Sequence, residues 1–170
     1  MEISTASIKE LREQCGAGIM ECRNALVNAN GDIEKAIEAL KEQGRLKAAK
    51  KAKRVTEQGL VEAYVHIGGR IGAMVELNCE TDFVARTDEF KELAHNLAMQ
   101  VTAMNPLFIS EKEIPPEQKD DFEVEVACLL QQAYIKDPTM AIQDVIIQVI
   151  AKVGENIKVS RFTRFELGVR

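Results

Sequence analysis

The spacing of the apolar residues changes near Leu60, and this change restricts the chain to folds that combine helices with a sheet. Before Leu60 apolar residues recur every three or four positions, as on one face of an α-helix, whereas from Leu60 they alternate as in a β-strand. Gly68-Gly69 interrupts the alternation, which is typical of a hairpin turn. With 170 residues there is room for one or two small domains, and the pattern predicts an α+β fold.

Three short helices are predicted in the first part of the chain, each ended by glycine. The first begins at a capping box of Ser7 with Glu10 and is stopped by Gly16-Ala17-Gly18. The third is capped by Asp32 and is expected to end before Gly44. Helices this short imply a compact bundle, whose limited core suits docking to a partner better than a deep active-site pocket.

The hairpin is predicted to bury one face, because an antiparallel sheet commonly packs one side on the core and leaves the other in water. His66 falls on the polar face and is expected to be a surface residue. The tail from Asn156 to Leu167 is strand-like, should pair with the hairpin, and is expected to contain a bulge between Val159 and Phe162, where the alternation loses phase. The residues of the face predicted to be buried are Val61, Ala63, Val65 and Ile67 on the first strand and Ile71, Ala73, Val75 and Leu77 on the second.

Two longer helices complete the predicted core. Helical spacing returns over residues 90–104 and 142–153, and both helices are expected to face the core. Residues 105–121 are rich in proline and charge, so they are predicted to be mainly loop, with a shorter helix from Phe122. Together these segments predict a three-stranded antiparallel sheet with helices covering one face.

Charge and cysteine pattern restrict the function. The net charge of −5 disfavours nucleic acid as the main partner. The basic run from Arg45 to Arg54 has no interleaved aromatic residue for base stacking, so it is expected to be a linker or a solvated helix. The four cysteines form no C-x-x-C pair, and neither His66 nor His95 lies at metal-ligand spacing, so no metal is expected.

The sequence motifs that are missing restrict the localisation and the chemistry of the protein. No charged-then-apolar leader is present, and no apolar run approaches the ~20 residues that span a bilayer, so a cytoplasmic protein with reduced thiols and no membrane contact is predicted. Phosphate-binding loops, dinucleotide fingerprints, nucleophile elbows and zinc-protease motifs are missing from the sequence. Cys79 is expected to be a buried, inert thiol. Neither an enzyme nor a cofactor is predicted.

Two segments have features that ordinary helix or strand packing does not explain. Asp82 and Phe83 follow the second strand and offer a carboxylate and a rigid apolar wedge on one turn, which suits prising apart a partner's packed surface. Alternatively, Asp82 is a turn or cap residue and Phe83 belongs to the core. Ile19 and Met20 follow Gly18 directly, and because helical periodicity cannot bury every apolar side chain there, at least one is expected to face solvent. The alternative is that both are core or merely tolerated surface residues.

Three ordered stretches resemble the bacterial elongation factor Ts family over essentially the whole length of the chain. They are residues 8–12, 16–22 and 30–37, then Leu77-Asn78-Cys79-Glu80-Thr81-Asp82-Phe83-Val84-Ala85, and finally residues 151–157 and 164–166. The first resembles that family's N-terminal three-helix bundle, which is related to ubiquitin-associated (UBA) domains. The resemblance implies a UBA-like domain at residues 1–45, a basic helical linker at 46–57, and a core domain for dimerisation and partner binding at 58–170.

The resemblance also implies a guanine-nucleotide exchange factor that binds elongation factor Tu in its GDP-bound and nucleotide-free forms. The residues matching the stretch that disturbs the magnesium and phosphate site of that GTPase and promotes GDP release are Thr81, Asp82, Phe83 and Val84. Ile19, Met20 and Arg23 match positions that dock the bundle on a helix of the partner's nucleotide-binding domain.

The chain departs from longer family members in having one hairpin and one late strand, with residues 110–125 too short for a coiled-coil insertion. If two core copies grip the partner, two chains must supply them, so a homodimer with two-to-two stoichiometry is predicted. Cys15 stands where threonine is usual and Ile19 where methionine is common, with little consequence expected.

Two other functions are weighed against exchange. A passive adaptor would hold a partner with its three-helix bundle and lack exchange activity, and the intact stretch from Thr81 to Val84 argues against it. A nucleic-acid-binding module, suggested by the basic residues from Lys47 to Arg54, is the third choice.

Overall fold

The structure is a computed structural model that describes residues 3–169. The chain divides into two compact units, the first made of the residues up to Lys53 with Ile147–Glu155, the second of Arg54–Ile146 with the residues from Asn156 onward. The mixture of helices and strands confirms the predicted fold class. In chain order the elements are α1 (Thr5–Cys15), α2 (Ile19–Asn28), α3 (Ile33–Lys51), β1 (Gln58–Val65), β2 (Ile71–Cys79), α4 (Asp82–Ala85), α5 (Asp88–Met104), α6 (Val124–Ala127), β3 (Ala133–Tyr134), β4 (Asp137–Ala141), α7 (Ile142–Val153) and β5 (Ile157–Glu166).

The first unit contains the three predicted N-terminal helices around a small apolar core. α1 is capped by Ser4, whose Oγ accepts the Ser7 N–H at 3.0 Å, so the predicted capping box at Ser7 and Glu10 is wrong and the helix begins earlier. Gly16 ends α1 and Asp32 caps α3, and both predictions are confirmed. The buried core residues are Leu11, Cys22, Ala25, Leu26, Ala36 and Leu40.

The sequence predicted that the third helix ends before Gly44. This prediction is wrong, because α3 continues to Lys51. Gly44 is buried inside α3, and a Cβ added there would meet Ile147 Cγ2 at 3.5 Å, an ordinary contact distance. A glycine ends a helix only where the backbone leaves the helical region, and here strong helix formers follow it. Lys51 Nζ donates to the Gly154 carbonyl oxygen at 2.7 Å, which fixes the last turn of α3 within this unit.

An antiparallel sheet with the order β1-β2-β5 forms the second unit, and α5 packs on it. The predicted pairing of the late strand with the hairpin is therefore confirmed. The predicted bulge is also confirmed, because Glu76 pairs with Arg161 whereas Leu77 pairs with Val159, so Ser160 is the extra residue.

The buried face of the hairpin was predicted correctly for β2 and wrongly for β1. Val61 and Val65 of β1 are exposed, and Ile67, which lies beyond the end of β1, is 93% exposed. The register explains the error, because Glu62 lies opposite Val75 and shares its face. The β2 residues of the predicted face that are buried are Ala73, Val75 and Leu77. The two strands therefore place the predicted apolar faces on opposite sides of the sheet.

The face of β1 toward α5 carries polar side chains in place of the predicted aliphatic row. Glu62 Oε1 and His95 Nδ1 of α5 lie 3.0 Å apart, and the Tyr64 ring packs edge-on against the His95 ring with centroids 5.6 Å apart. His66 is exposed, as predicted, and its Nδ1 lies 3.1 Å from the Tyr64 hydroxyl. Polar contacts thus complete the packing of α5 at this strand.

Short elements connect α5 to α7. The predicted loop contains two 3₁₀ turns, Glu111–Glu113 and Pro116–Asp121, and the helix predicted after it is only the single turn α6. The pairing of β3 with β4 was not predicted. Across residues 3–169, no helix is both long and apolar enough to cross a membrane.

Candidate partner-binding site

The segment after β2 folds into one helical turn, α4, because its first residues provide the cap that such a turn needs. Thr81 is extended, and its Oγ1 accepts the Val84 N–H at 3.4 Å. Asp82 follows in the first turn, where a carboxylate interacts favourably with the helix dipole. Thr87 then begins α5 by accepting the Phe90 N–H with its side chain at 3.3 Å. Two capped helix starts in close succession fix the backbone of this segment.

This turn has a buried side and an exposed side. Val84 and Ala85 are each 9% exposed, and α4 packs against β1 and β2. Phe83 is 77% exposed. Full burial of a phenylalanine contributes roughly 1.5–3 kcal/mol, so this fold leaves that stabilisation unused. The alternative that Phe83 belongs to the core is wrong.

Asp82 lies beside the exposed ring, and its partner was not identified from the sequence. Asp82 Oδ2 forms an ion pair with Arg86 Nη2 at 2.7 Å, one turn further along. The four-residue spacing of the two charges was the signal in the sequence. Asp82 is the first helical residue, and the cap itself is Thr81. The exposed side of the turn therefore presents a carboxylate, a guanidinium and an aromatic ring.

The second predicted segment, in the first unit, begins α2. Ile19 is 57% exposed and Met20 is 62% exposed, which confirms that at least one of them faces solvent. Arg23 is exposed as well. The opposite side of α2 is buried through Cys22 and Leu26. Ile19, Met20 and Arg23 thus lie together at the start of one helix, whereas Thr81 to Val84 belong to the other unit.

Glu21 holds the start of α2 in place. Its Oε2 accepts the N–H of Gly18 at 3.2 Å, and its Oε1 accepts a hydrogen bond from Lys47 Nζ of α3. The hydrogen bond from Lys47 is the main cause that keeps the pKa of Glu21 below its usual value. The turn that presents Ile19 and Met20 is therefore tied to α3.

The family model described as Elongation factor TS matches residues 5–127, which include both segments. The Elongation factor Ts of Thermotoga sp. (strain RQ2) is 50% identical to this chain, over 99% of this chain and 98% of its own length. This chain belongs to the elongation factor Ts family. Similar proteins of that name come from Caldanaerobacter subterraneus subsp. tengcongensis, 46% identical over 98% of this chain and 97% of its own, and Fervidobacterium nodosum, 46% identical over 99% and 100%.

The basic run from Arg45 to Arg54 is largely engaged within the protein. Lys47 binds Glu21, and Lys51 binds the Gly154 carbonyl group. Arg54 Nη1 lies 3.3 Å from Glu80 Oε1. Arg45 Nη1 lies 4.0 Å from Glu42 Oε2, so at least four of the six basic residues between Arg45 and Arg54 have partners inside their own unit.

Burial lowers the reactivity of two cysteines of this family member, Cys22 and Cys128. All four are free thiols, and Cys22, Cys79 and Cys128 are buried. Burial raises the pKa of Cys22 to about 11, with a further contribution from neighbouring Cys15, and burial also raises the pKa of Cys128. Within the part of the chain that is described, no three His, Cys, Asp or Glu side chains are grouped to hold a metal ion.

Proposed function

We propose that this member of the elongation factor Ts family is a guanine-nucleotide exchange factor for elongation factor Tu. It binds the GDP-bound GTPase, promotes release of GDP and remains bound to the nucleotide-free form. The observation that carries the proposal is the exposure of Phe83 beside Asp82 on a turn anchored by buried Val84. A rigid exposed aromatic residue on a fixed base is typical of an anchor that enters a partner's surface. The factor itself makes and breaks no covalent bond.

Asp82 and Phe83 have different roles in this proposal. Phe83 enters the partner's nucleotide-binding domain as a wedge, because burying its exposed ring stabilises the complex. Asp82 brings a negative charge near the bound magnesium ion and phosphate groups, where it competes for the cation and repels phosphate. Thr81 and Val84 hold the turn by capping it and by packing under it.

The free energy of burying Phe83 is too small to account for a large exchange effect by itself. A factor that weakens nucleotide binding binds the nucleotide-free partner more tightly by the same ratio. A thousandfold effect needs about 4 kcal/mol of differential interaction, at about 1.4 kcal/mol per tenfold. Burial of one phenylalanine supplies roughly 1.5–3 kcal/mol. Asp82 and further contacts must therefore contribute the rest.

The start of α2 provides the second contact in the proposal. Ile19 and Met20 are exposed at one end of a well-packed bundle, and Arg23 adds a positive charge beside them. Such a small apolar area with a charge at its edge suits docking on the partner's nucleotide-binding domain. Because these residues do not belong to the exchange turn, Phe83→Ala should keep part of the binding affinity.

A second copy of the chain completes the proposed assembly. The sheet face opposite α5 exposes Val61, Val65, Met74 and Phe165 in neighbouring strands. Exposed apolar faces of this kind usually mark interfaces, and a twofold axis would place the same face of two copies together. Light scattering at micromolar concentration should give a dimer mass for the wild type and a monomer mass for Met74→Glu. Met104→Glu, at a similarly exposed methionine of the same unit, is the control and should remain dimeric.

Equilibrium binding separates exchange from passive holding. Calorimetric titration should give tighter binding to nucleotide-free elongation factor Tu than to its GDP complex. The ratio should equal the factor by which this chain weakens GDP binding. Equal affinities for the two forms would support the adaptor, for which the exposed surface of α2 alone suffices.

A further inference from the structure

One carboxylate ties the end of β2 to the start of β5. Glu80 Oε1 accepts the main-chain N–H of Asn156 at 2.7 Å, and the two carboxylate oxygens of Glu80 lie 3.3 and 3.4 Å from Arg54 Nη1. Asn156 is almost fully buried, and its Nδ2 donates to the Arg54 carbonyl oxygen at 2.9 Å. The three residues therefore form a closed set of hydrogen bonds where the chain leaves the sheet.

A second bond fixes the backbone on the other side of Glu80. Cys79 is fully buried, and its Sγ donates to the Thr81 carbonyl oxygen at 3.1 Å. Thr81 in turn caps α4 through its side chain. Asp82 and Phe83 therefore begin directly after a backbone segment that is held at Cys79, Glu80 and Thr81.

The direction of the exposed turn depends on the backbone segment held at Cys79, Glu80 and Thr81. A helix of four residues has too few internal hydrogen bonds to be stable alone. Phe83 is exposed, so its own side-chain packing contributes little to holding it. A wedge that is already oriented avoids the entropy cost of ordering when it binds.

We infer that Glu80 is a positioning residue for nucleotide exchange, whose carboxylate holds Asp82 and Phe83 in the direction in which they enter the partner. The inference rests on the proposed exchange function. Glu80 does not contact the partner in this inference. Its bonds to Asn156 and Arg54 keep the turn rigid.

The test measures GDP release from elongation factor Tu over a concentration series of this chain, which separates the maximal rate from the half-saturating concentration. Glu80→Ala should lower the maximal rate by about tenfold, the effect expected when a charge-assisted hydrogen bond is lost. The half-saturating concentration should change by less than about twofold, since docking through α2 is intact. Glu80→Gln keeps an acceptor for the Asn156 N–H and should recover most of the rate.

Two controls separate positioning from general damage. Glu62→Gln removes another partly exposed carboxylate of the same unit, the partner of His95, and should match the wild type. In a Phe83→Ala background, Glu80→Ala should cause a smaller fold loss than in the wild type, because only Asp82 remains to be oriented. Hydrogen exchange of the free chain should be faster at the Ala85 and Arg86 amides in Glu80→Ala and unchanged in α5.

The outcomes distinguish the inference from the function on which it rests. Full wild-type release by Glu80→Ala, or the same fold loss in the Phe83→Ala background, would overturn the positioning role. If Glu80→Ala does not fold, the same two measurements are made on Glu80→Gln. Faster hydrogen exchange at the Ala85 and Arg86 amides of Glu80→Gln together with wild-type GDP release would also overturn the positioning role. Failure of the wild type to accelerate release would instead overturn the proposed function.

Discussion

Asp82 and Arg86 form an ion pair at 2.7 Å across the single turn of α4, on the exposed side of the turn. Exposed pairs with this spacing contribute about 0.5 kcal/mol or less to stability. The pair therefore does not explain why a carboxylate stands beside an exposed phenylalanine. The proposed binding role of this turn accounts for the position of Asp82.

Substitutions on this turn should separate stability from exchange. Asp82→Ala and Phe83→Ala should change the free energy of unfolding by less than about 0.5 kcal/mol, because Phe83 is exposed and Asp82 is half-buried in an ion pair that contributes little. Val84→Ala, the matched change on the buried side, should destabilise the chain by about 1–2 kcal/mol. Denaturant unfolding measures all three. A large stability loss in Phe83→Ala would show that the ring packs in the fold.

Gly59 should be the least replaceable glycine of the sheet. It lies opposite Asn78 with φ of 151°, and an added Cβ would lie 2.1 Å from the Leu77 carbonyl oxygen. Gly59→Ala should therefore cost about 3 kcal/mol through strain and displacement of β2. Gly44→Ala is the control, since it adds an ordinary contact inside a helix and should be neutral or stabilising by up to about 1 kcal/mol. Thermal unfolding of both variants tests this contrast, and equal losses would contradict it.

The Glu21–Lys47 contact should make stability of the first unit depend on pH. The pKa of Glu21 is lowered in the folded chain, so the stabilisation is present above the unfolded value of 4.5 and is lost as pH falls below it. Both side chains are 43% exposed, so the contribution after solvent screening is about 0.5 kcal/mol or less. Glu21→Gln should reduce stability at pH 7 and make little difference at pH 3. An equal loss at both pH values would contradict the ionic origin.

The thiol of Cys22 should react slowly with alkylating reagents at neutral pH. Burial, with a contribution from Cys15, raises its pKa to about 11, and the thiolate is the form that reacts. Alkylation by iodoacetamide at pH 8, followed by mass spectrometry, should be much slower at Cys22 in the folded chain than in urea. The rate should rise as the pH approaches 11. Equal rates in folded and unfolded chains would show that Cys22 is accessible.

Some of the fold could be predicted because local signals agreed with the packing. The bulge in β5 was visible as a loss of phase between Val159 and Phe162, and the extra residue is Ser160. Exposure at the start of α2 was predicted because Ile19 and Met20 cannot both turn inward with Cys22. In these places the sequence period alone determines the result.

Other features depend on tertiary contacts, which the spacing of apolar residues along the sequence does not reveal. Alternation shows which β1 residues share a face, but the register set by the hairpin turn decides that Glu62, and not Val61, joins Val75. Gly44 signals a helix end, yet the residues after it continue α3. The bond from Glu80 to Asn156 joins residues that are far apart in the sequence, so nothing local indicated it.

Stopped-flow release of a fluorescent GDP analogue from elongation factor Tu tests the central proposal most directly. The wild type should accelerate release, and Phe83→Ala and Asp82→Ala should each do so less, with Phe83→Ala slower by about tenfold or more if its burial contributes roughly 1.5–3 kcal/mol. Unchanged release in the presence of wild type, with binding to elongation factor Tu demonstrated under the same conditions, would contradict exchange through this turn and leave the adaptor.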